Sequence, residues 1–176
     1  LQVPTDPRYP SQWWLRAAGG TNANAIADRL RGVPGFLRAW QSGVSGSTGR
    51  PAAVVAVLDT GITAHPDLVG RILPGYDFVS ETAYSNDGNG RDSDPNDPGD
   101  WVSSSDRSDA AFKDCEIEDS SWHGTIIAAL IAAATDNGIG VAGINHDGRV
   151  LPVRVAGKCG ASVADIIDGM RWAAGL

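Results

Sequence analysis

Ala53-Val54-Val55-Ala56-Val57-Leu58 is an apolar run with no polar alternation, closed by Asp59-Thr60-Gly61. Such a run predicts a strand covered on both faces, as in a mostly parallel α/β sheet, and argues against a half-solvated antiparallel one. Ligands and chemistry in open α/β sheets collect beyond the carboxyl ends of strands, which is where Asp59 lies. Downstream segments fit the same class. Arg71 to Val79 predicts a short strand, or two pieces broken at Pro74-Gly75. Gly124 to Ala134 is small or apolar all round, as expected of a buried helix that ends near Thr135-Asp136-Asn137-Gly138. Val150 to Val155 predicts the next buried strand, although Pro152 cannot donate a ladder hydrogen bond. Ser162 is the expected N-cap of a last helix, with Asp165 in the capping-box position. Its stripe is Val163, Ile166, Ile167, Met170 and Ala174, and Gly175 can end it. Strand, long loop, helix, strand, helix is an α/β order.

With 176 residues the chain is long enough for one sizeable core, so a single domain or part of one is expected. Residues 1–20, rich in Pro and Trp, predict an extended arm docked through Trp13 and Trp14. Asn24 to Leu30 predicts a short helix capped by Asn22 or Asn24 and broken by Gly32-Val33-Pro34-Gly35. Phe36 to Gln41 predicts a second helical piece, and Ser42 to Pro51 a flexible connector. No run of about 18 apolar residues predicts a membrane span, and no basic, apolar leader is visible, so a secreted protein would be present in a processed form. A net charge of -7 argues against a general nucleic-acid binder.

The acidity is concentrated. Of 21 acidic residues, 12 lie between Glu81 and Asp119, against Arg91, Arg107 and Lys113. This 80–120 segment lacks apolar periodicity, and loops so long in compact domains are usually functional or disordered. Asp92, Asp94, Asp97 and Asp100 are spaced closely enough to surround a hard cation such as calcium, or to form a solvated acidic loop. They do not form an EF-hand, because Asp97 stands where the sharp turn needs Gly and Ser103 where the bidentate Glu belongs. Cys115 and Cys159 permit one bridge, which implies an oxidising compartment, or two buried thiols. A zinc site from His65, His123, His146 and the cysteines fails on spacing. The bridge is the expectation, closing a loop around His123 for about 4 kcal/mol on the chain-entropy model.

His123-Gly124-Thr125 sits where the buried helix begins. A buried carboxylate can orient an imidazole and stabilise its protonated form, so Asp59 and His123 together would make a general base for a nucleophile. Asp-Thr-Gly after apolar residues resembles the active-site loop of aspartic peptidases, but that chemistry needs a second carboxylate and the chain has one such tripeptide. The longer match is different. Asp59-Thr60-Gly61-Ile62, His65-Pro66-Asp67-Leu68 and Asp119-Ser120-Ser121-Trp122-His123-Gly124-Thr125 resemble the aspartate and histidine segments of subtilisin-like serine peptidases, the subtilases. Gly138 to Gly143, Leu151 to Val155 and the Asp6 to Trp13 arm continue the likeness over most of the chain, in the family's Asp-then-His order.

The resemblance implies a subtilisin-like three-layer fold, with residues 1–176 as the N-terminal portion of one catalytic domain. It implies a secreted serine endopeptidase in which Asp59 and His123 are two members of an Asp-His-Ser triad. The serine would come from the C-terminal half of the domain, and a propeptide would precede maturation. Peptides or proteins are the implied substrates, with no organic cofactor. The family's habit of binding calcium favours Ca2+ at the acidic loop and suggests a second site at Asp67, Asn137 and nearby carbonyls. Ile126 and Ala129 depart from the family's helix: Ile126 stands in place of a polar ring, and Ala129 adds a methyl where a close helix contact would need Gly, an overpacking of about 1–3 kcal/mol. The alternative is a non-catalytic, calcium-stabilised binding domain on the same scaffold.

Overall fold

The computed structural model describes residues 3–17, 34–44 and 52–176. The expected helix at Asn24 to Leu30 and most of the 42–51 connector lie outside these residues. In chain order the elements are α1 (Phe36–Gln41), β1 (Val54–Asp59), β2 (Tyr76–Asp77), α2 (Thr82–Ser85), α3 (His123–Ala132), β3 (Arg149–Arg154), β4 (Ala156–Gly157), β5 (Gly160–Ala161) and α4 (Val163–Ala173). They divide between two compact units, 1–54 with 65–71 and 129–149, and 55–64 with 72–128 and 150–176.

In the first unit the N-terminal arm is not simply extended, for it contains 3-10 turns at Tyr9–Ser11 and Trp13–Leu15. The buried anchors are Asp6, Tyr9, Gln12 and Leu15, while Trp13 and Trp14 stay half-buried. Gln12 behaves like a strand neighbour: its amide donates to the Ala142 carbonyl at 2.9 Å and accepts from the Ala142 N–H at 2.8 Å. Asp6 accepts from the Asp136 N–H at 2.9 Å. Tyr9, Leu15, Leu37, Trp40 and Ala142 form the unit's apolar core. His146 stacks on Trp40, with ring centroids 4.3 Å apart, and its buried Nε2 has no hydrogen-bond partner among the described residues.

The second unit holds most of a three-stranded sheet in the order β1-β3-β2. β2 runs parallel to β3, with Tyr76 opposite Val153 and Asp77 opposite Arg154. Hydrogen bonds from Arg149 N–H to the Ala53 carbonyl and from Val155 N–H to the Asp59 carbonyl advance in the same direction along β1, so this pair is parallel too. β1, expected to be covered on both faces, lies instead at an edge of the described sheet. Val57 is its only buried residue and Val54 is 53% exposed. The apolar sequence therefore corresponds to a surface left open among the described residues.

Pro152 occupies the middle strand without breaking it. Ile72 bridges to Val150, whereas Tyr76 faces Val153, so the β2 side carries one extra residue opposite this stretch. That bulge places Pro74-Gly75 where an N–H from residue 152 would otherwise be required. Gly75 fits because a Cβ there would lie 2.0 Å from the Pro152 carbonyl oxygen.

Phe78, Val153 and Val155 form the buried centre of this unit, with Leu58, Ile166 and Ala173 packed against it. The Ser162 hydroxyl caps α4 by accepting from the Asp165 N–H at 3.1 Å, as expected. The Asp165 carboxylate instead binds Arg91 at 2.6 Å and the Ser80 N–H at 3.2 Å. Burial raises its pKa, but these partners outweigh burial and the net shift is downward. Gly175 closes α4 with a left-handed turn, its N–H bonding to Trp172 and that of Leu176 to Arg171. The expected stripe divides: Ile166 packs inward, while Val163, Ile167 and Met170 are exposed.

Burial lowers the His146 pKa from 6.5, assisted by Arg71 and opposed by Asp136, Asp147 and Asp6. As pH falls through 6.5 the unfolded chain therefore takes up the proton first, and stability decreases with it. Chemical denaturation between pH 7.5 and pH 5 should show this loss in the wild type, and a smaller slope in His146→Gln.

Candidate active site

Asp59 ends β1 and His123 begins α3. Asp59 is 14% exposed at its side chain and His123 58%. The His123 Nδ1 lies 2.9 Å from Oδ1 and 2.8 Å from Oδ2 of Asp59. A carboxylate accepts only, so Nδ1 carries the proton in this pair and Nε2 is the nitrogen left for chemistry. Asp59 is itself oriented by the Thr60 N–H, which donates to Oδ1 at 2.8 Å.

The approach of α3 to the turn after β1 depends on two glycines. A Cβ on Gly124 would meet the Gly61 carbonyl oxygen at 2.2 Å and Asp59 Cβ at 3.2 Å. Gly61, at φ 110°, has the Pro95 oxygen, the Asp97 nitrogen and Arg154 Cδ around its own missing Cβ. Backbone therefore packs on backbone where the two side chains meet.

The first N–H groups of α3 lack helical acceptors and are capped by hydroxyls. The His123 N–H donates to Ser121 Oγ at 3.3 Å, and the Gly124 N–H to Thr60 Oγ1 at 3.1 Å. Each hydroxyl in turn donates to a carboxylate of the acidic loop. Thr60 Oγ1 donates to Asp97 Oδ2 at 2.6 Å and Ser121 Oγ to Asp100 Oδ2 at 2.7 Å. Asp97 is 4% exposed, and burial raises its pKa against the bonds from Thr60 and the Gly99 N–H. Below Gly61, buried Arg154 pairs with Asp77, Asp87 and the Ser85 carbonyl. Burial lifts the Asp77 carboxyl to about 6, against the opposing bond from the Val79 N–H and the charge of Arg154.

The residues expected to hold calcium take other partners here. Asp92 and Asp94 accept from the Asp94 and Asn96 N–H groups, Asp97 from Gly99 and Thr60, and Asp100 from Ser121. Asp67 is buried, accepting from the Asn137 amide at 2.8 Å and the Val141 N–H at 2.9 Å, and Asn137 also accepts from the Ile139 N–H. Among the described residues no three His, Cys, Asp or Glu side chains converge on a metal position. Asp92, Asp94 and Asp97 each close a turn by accepting from the N–H two residues on, whereas Asp100 and Asp67 accept from residues distant in sequence. Asp97, Asp100, Thr60 and Ser121 thus serve the site in roles that sequence reasoning missed; only the Asp/Ser/Thr density hinted at them.

Cys115 and Cys159 form the expected disulfide, with Cα atoms 5.8 Å apart. It joins the acidic loop to the β4–β5 hairpin, where Ala156 pairs with Ala161 and Gly157 with Gly160. Lys158, beside the bridge, reaches Asp106 at 2.9 Å and lies 5.1 Å from the Trp101 ring centroid. Ile126, one of the departures in the helix, is 52% exposed.

The model of the subtilase family matches residues 50–175. The chain belongs to the subtilase family. An extracellular basic protease of Dichelobacter nodosus is 44% identical over 98% of the chain, and an extracellular protease of Xanthomonas campestris 43% identical over 98%. A solved protease structure from Pseudoalteromonas arctica covers 99% of the chain with a TM-score of 0.72 and 42% identity. The α/β fold expected from the sequence is thereby the subtilase fold. This subtilase chain spans 26% of each of the two curated relatives and 45% of the solved one.

Gly124→Ala should cost about 1–3 kcal/mol by overpacking. It should also separate Asp59 from His123, seen as a lower Tm together with loss of the downfield imidazole N–H resonance.

Proposed function

We propose that this chain supplies Asp59 and His123 to the Asp-His-Ser triad of a secreted serine endopeptidase, with the serine provided by residues outside the 176. One observation carries the reading: the Asp59 carboxylate holds His123 Nδ1 at 2.8–2.9 Å, at a strand end that faces a helix start. Asp59 fixes the tautomer and stabilises the imidazolium. His123 Nε2 takes the proton of the attacking serine, and then delivers it to the leaving amine as the acyl-enzyme forms. On this reading the 176 residues alone are inactive.

Several features support the wider proposal. The relatives are named as extracellular proteases, and a disulfide suits an oxidising compartment. No helix among the described residues is long and apolar enough to cross a membrane. Val54, Ile126, Val163, Ile167 and Met170 are exposed apolar side chains that the C-terminal half of the domain would cover. Peptide or protein substrate is the corresponding ligand, and a propeptide removed on maturation belongs to the same proposal.

Intact-mass spectrometry of the full-length protein after fluorophosphonate treatment should show one added label. Asp59→Asn should slow peptide hydrolysis by roughly 10^4-fold through the wrong imidazole tautomer. A folded, unlabelled full-length protein would instead identify a non-catalytic binding domain.

A structural calcium ion is kept as part of the proposal, with oxygens of Asp92, Asp94, Asp97 and Asp100 as the donors at hand. Thermal unfolding with and without EGTA tests it. A Tm lowered by the chelator and restored by Ca2+ supports binding, whereas an unchanged Tm assigns the loop's order to its hydrogen bonds.

A further inference from the structure

Asp97 belongs to none of the groups that a peptidase needs for bond cleavage, yet it is buried directly behind them. Each of its two oxygens accepts a hydrogen bond, Oδ1 from the Gly99 N–H at 2.8 Å and Oδ2 from the Thr60 hydroxyl at 2.6 Å. Thr60 has one hydroxyl proton. Giving that proton to Asp97 aims its lone pairs away from the carboxylate, and one of them accepts the Gly124 N–H. The same residue's N–H holds Asp59 Oδ1. Thr60 therefore grips Asp59 with its backbone and the first turn of α3 with its side chain.

We propose that Asp97 is a positioning residue: by fixing the direction of the Thr60 hydroxyl it sets the separation and angle between Asp59 and His123. This rests on the triad reading given above. Asp97 contacts neither member of the pair and acts through Thr60. A general loop-ordering role would not require the hydroxyl to have a particular polarity; the relay does. An amide at position 97 has almost the same shape but cannot accept from both donors. Turned one way it faces Gly99 with an N–H, and turned the other way it donates to a hydroxyl that must already accept from Gly124. Asp100 and Arg154 are the charged groups acting on Asp97; Arg154 only donates, and Asp100 accepts from the N–H and the hydroxyl of Ser121.

The test uses the full-length protein, with four variants compared per folded molecule: Asp97→Asn, Thr60→Val, Thr60→Ser and the double variant Asp97→Asn with Thr60→Val. The probes are a fluorophosphonate, for the rate of label uptake, and a peptide amide, for kcat and KM. Asp97→Asn and Thr60→Val should each lower kcat and the labelling rate by roughly tenfold to a hundredfold, with KM within about twofold, as expected of a small misplacement of reacting groups. Thr60→Ser keeps the hydroxyl and should stay near the wild-type rate. The double variant should be no slower than the slower single variant, because both break one relay. Asp97→Asn at the wild-type labelling rate overturns the proposal, as does full additivity in the double variant. Should Asp97→Asn fail to fold, Thr60→Val against Thr60→Ser carries the same decision. A wild-type protein that takes no label overturns the peptidase reading instead. In that case the downfield His123 Nδ1–H resonance still decides the relay: displacement or loss in Thr60→Val supports it, and persistence unchanged overturns it.

Discussion

The hydrogen bond from the Gly124 N–H to the Thr60 hydroxyl, made across a gap too small for a Cβ, is the contact on which the site depends. It ties the start of α3 to the end of β1, the two places where the chemistry-bearing side chains emerge. A hydroxyl is well suited to the task. Its accepting lone pairs satisfy an otherwise orphaned helix N–H, and its proton anchors it to something else. Here the anchor is a carboxylate from the long acidic loop, so a segment with little regular secondary structure becomes part of the support for a helix terminus. The capping motif is divided among distant parts of the chain.

That arrangement also accounts for the loop's composition. A stretch so acidic would repel itself if its carboxylates stayed free, yet most are neutralised locally by backbone N–H donors, by Ser and Thr hydroxyls, or by the few cations nearby. Arg91 and Lys158 each secure an acidic residue from a different segment, Arg91 holding Asp165 and Lys158 holding Asp106. The Cys115–Cys159 bridge adds a covalent tie close to Lys158. Many short polar contacts thus accompany a small apolar cluster of Val102, Phe112 and Cys115 in the loop.

The candidate pair was legible because Asp59 and His123 sit in short segments whose neighbours are themselves diagnostic, and the cysteine pairing and the Ser162 cap were equally readable. The supporting residues were not. Asp97 and Asp100 lie in a run whose spacing suits a cation loop, while the partners they have here, Thr60 and Ser121, are 37 and 21 residues away. Local spacing cannot show a donor that arrives from elsewhere in the fold. The apolar run of β1 predicts cover on both faces, and α4 carries a helical apolar stripe. Apolar patterning does not tell which residues do the covering, and Val54, Val163 and Met170 are exposed among the described residues. Pro152 posed the opposite problem, for the conflict was visible in the sequence but its resolution lay in the neighbouring strand.

That resolution governs more than one proline. Side chains alternate across a strand, so the extra residue beside Pro152 decides which way everything after it points. With it, Tyr76 and Phe78 face the aromatic cluster around Trp172, and Asp77 faces Arg154. Shortening this segment by one residue would reverse the assignment, turning a carboxylate toward an apolar core and leaving a buried guanidinium without its main counter-charge. A one-residue irregularity at the sheet thus acts as a phase setting for the polar floor beneath the site.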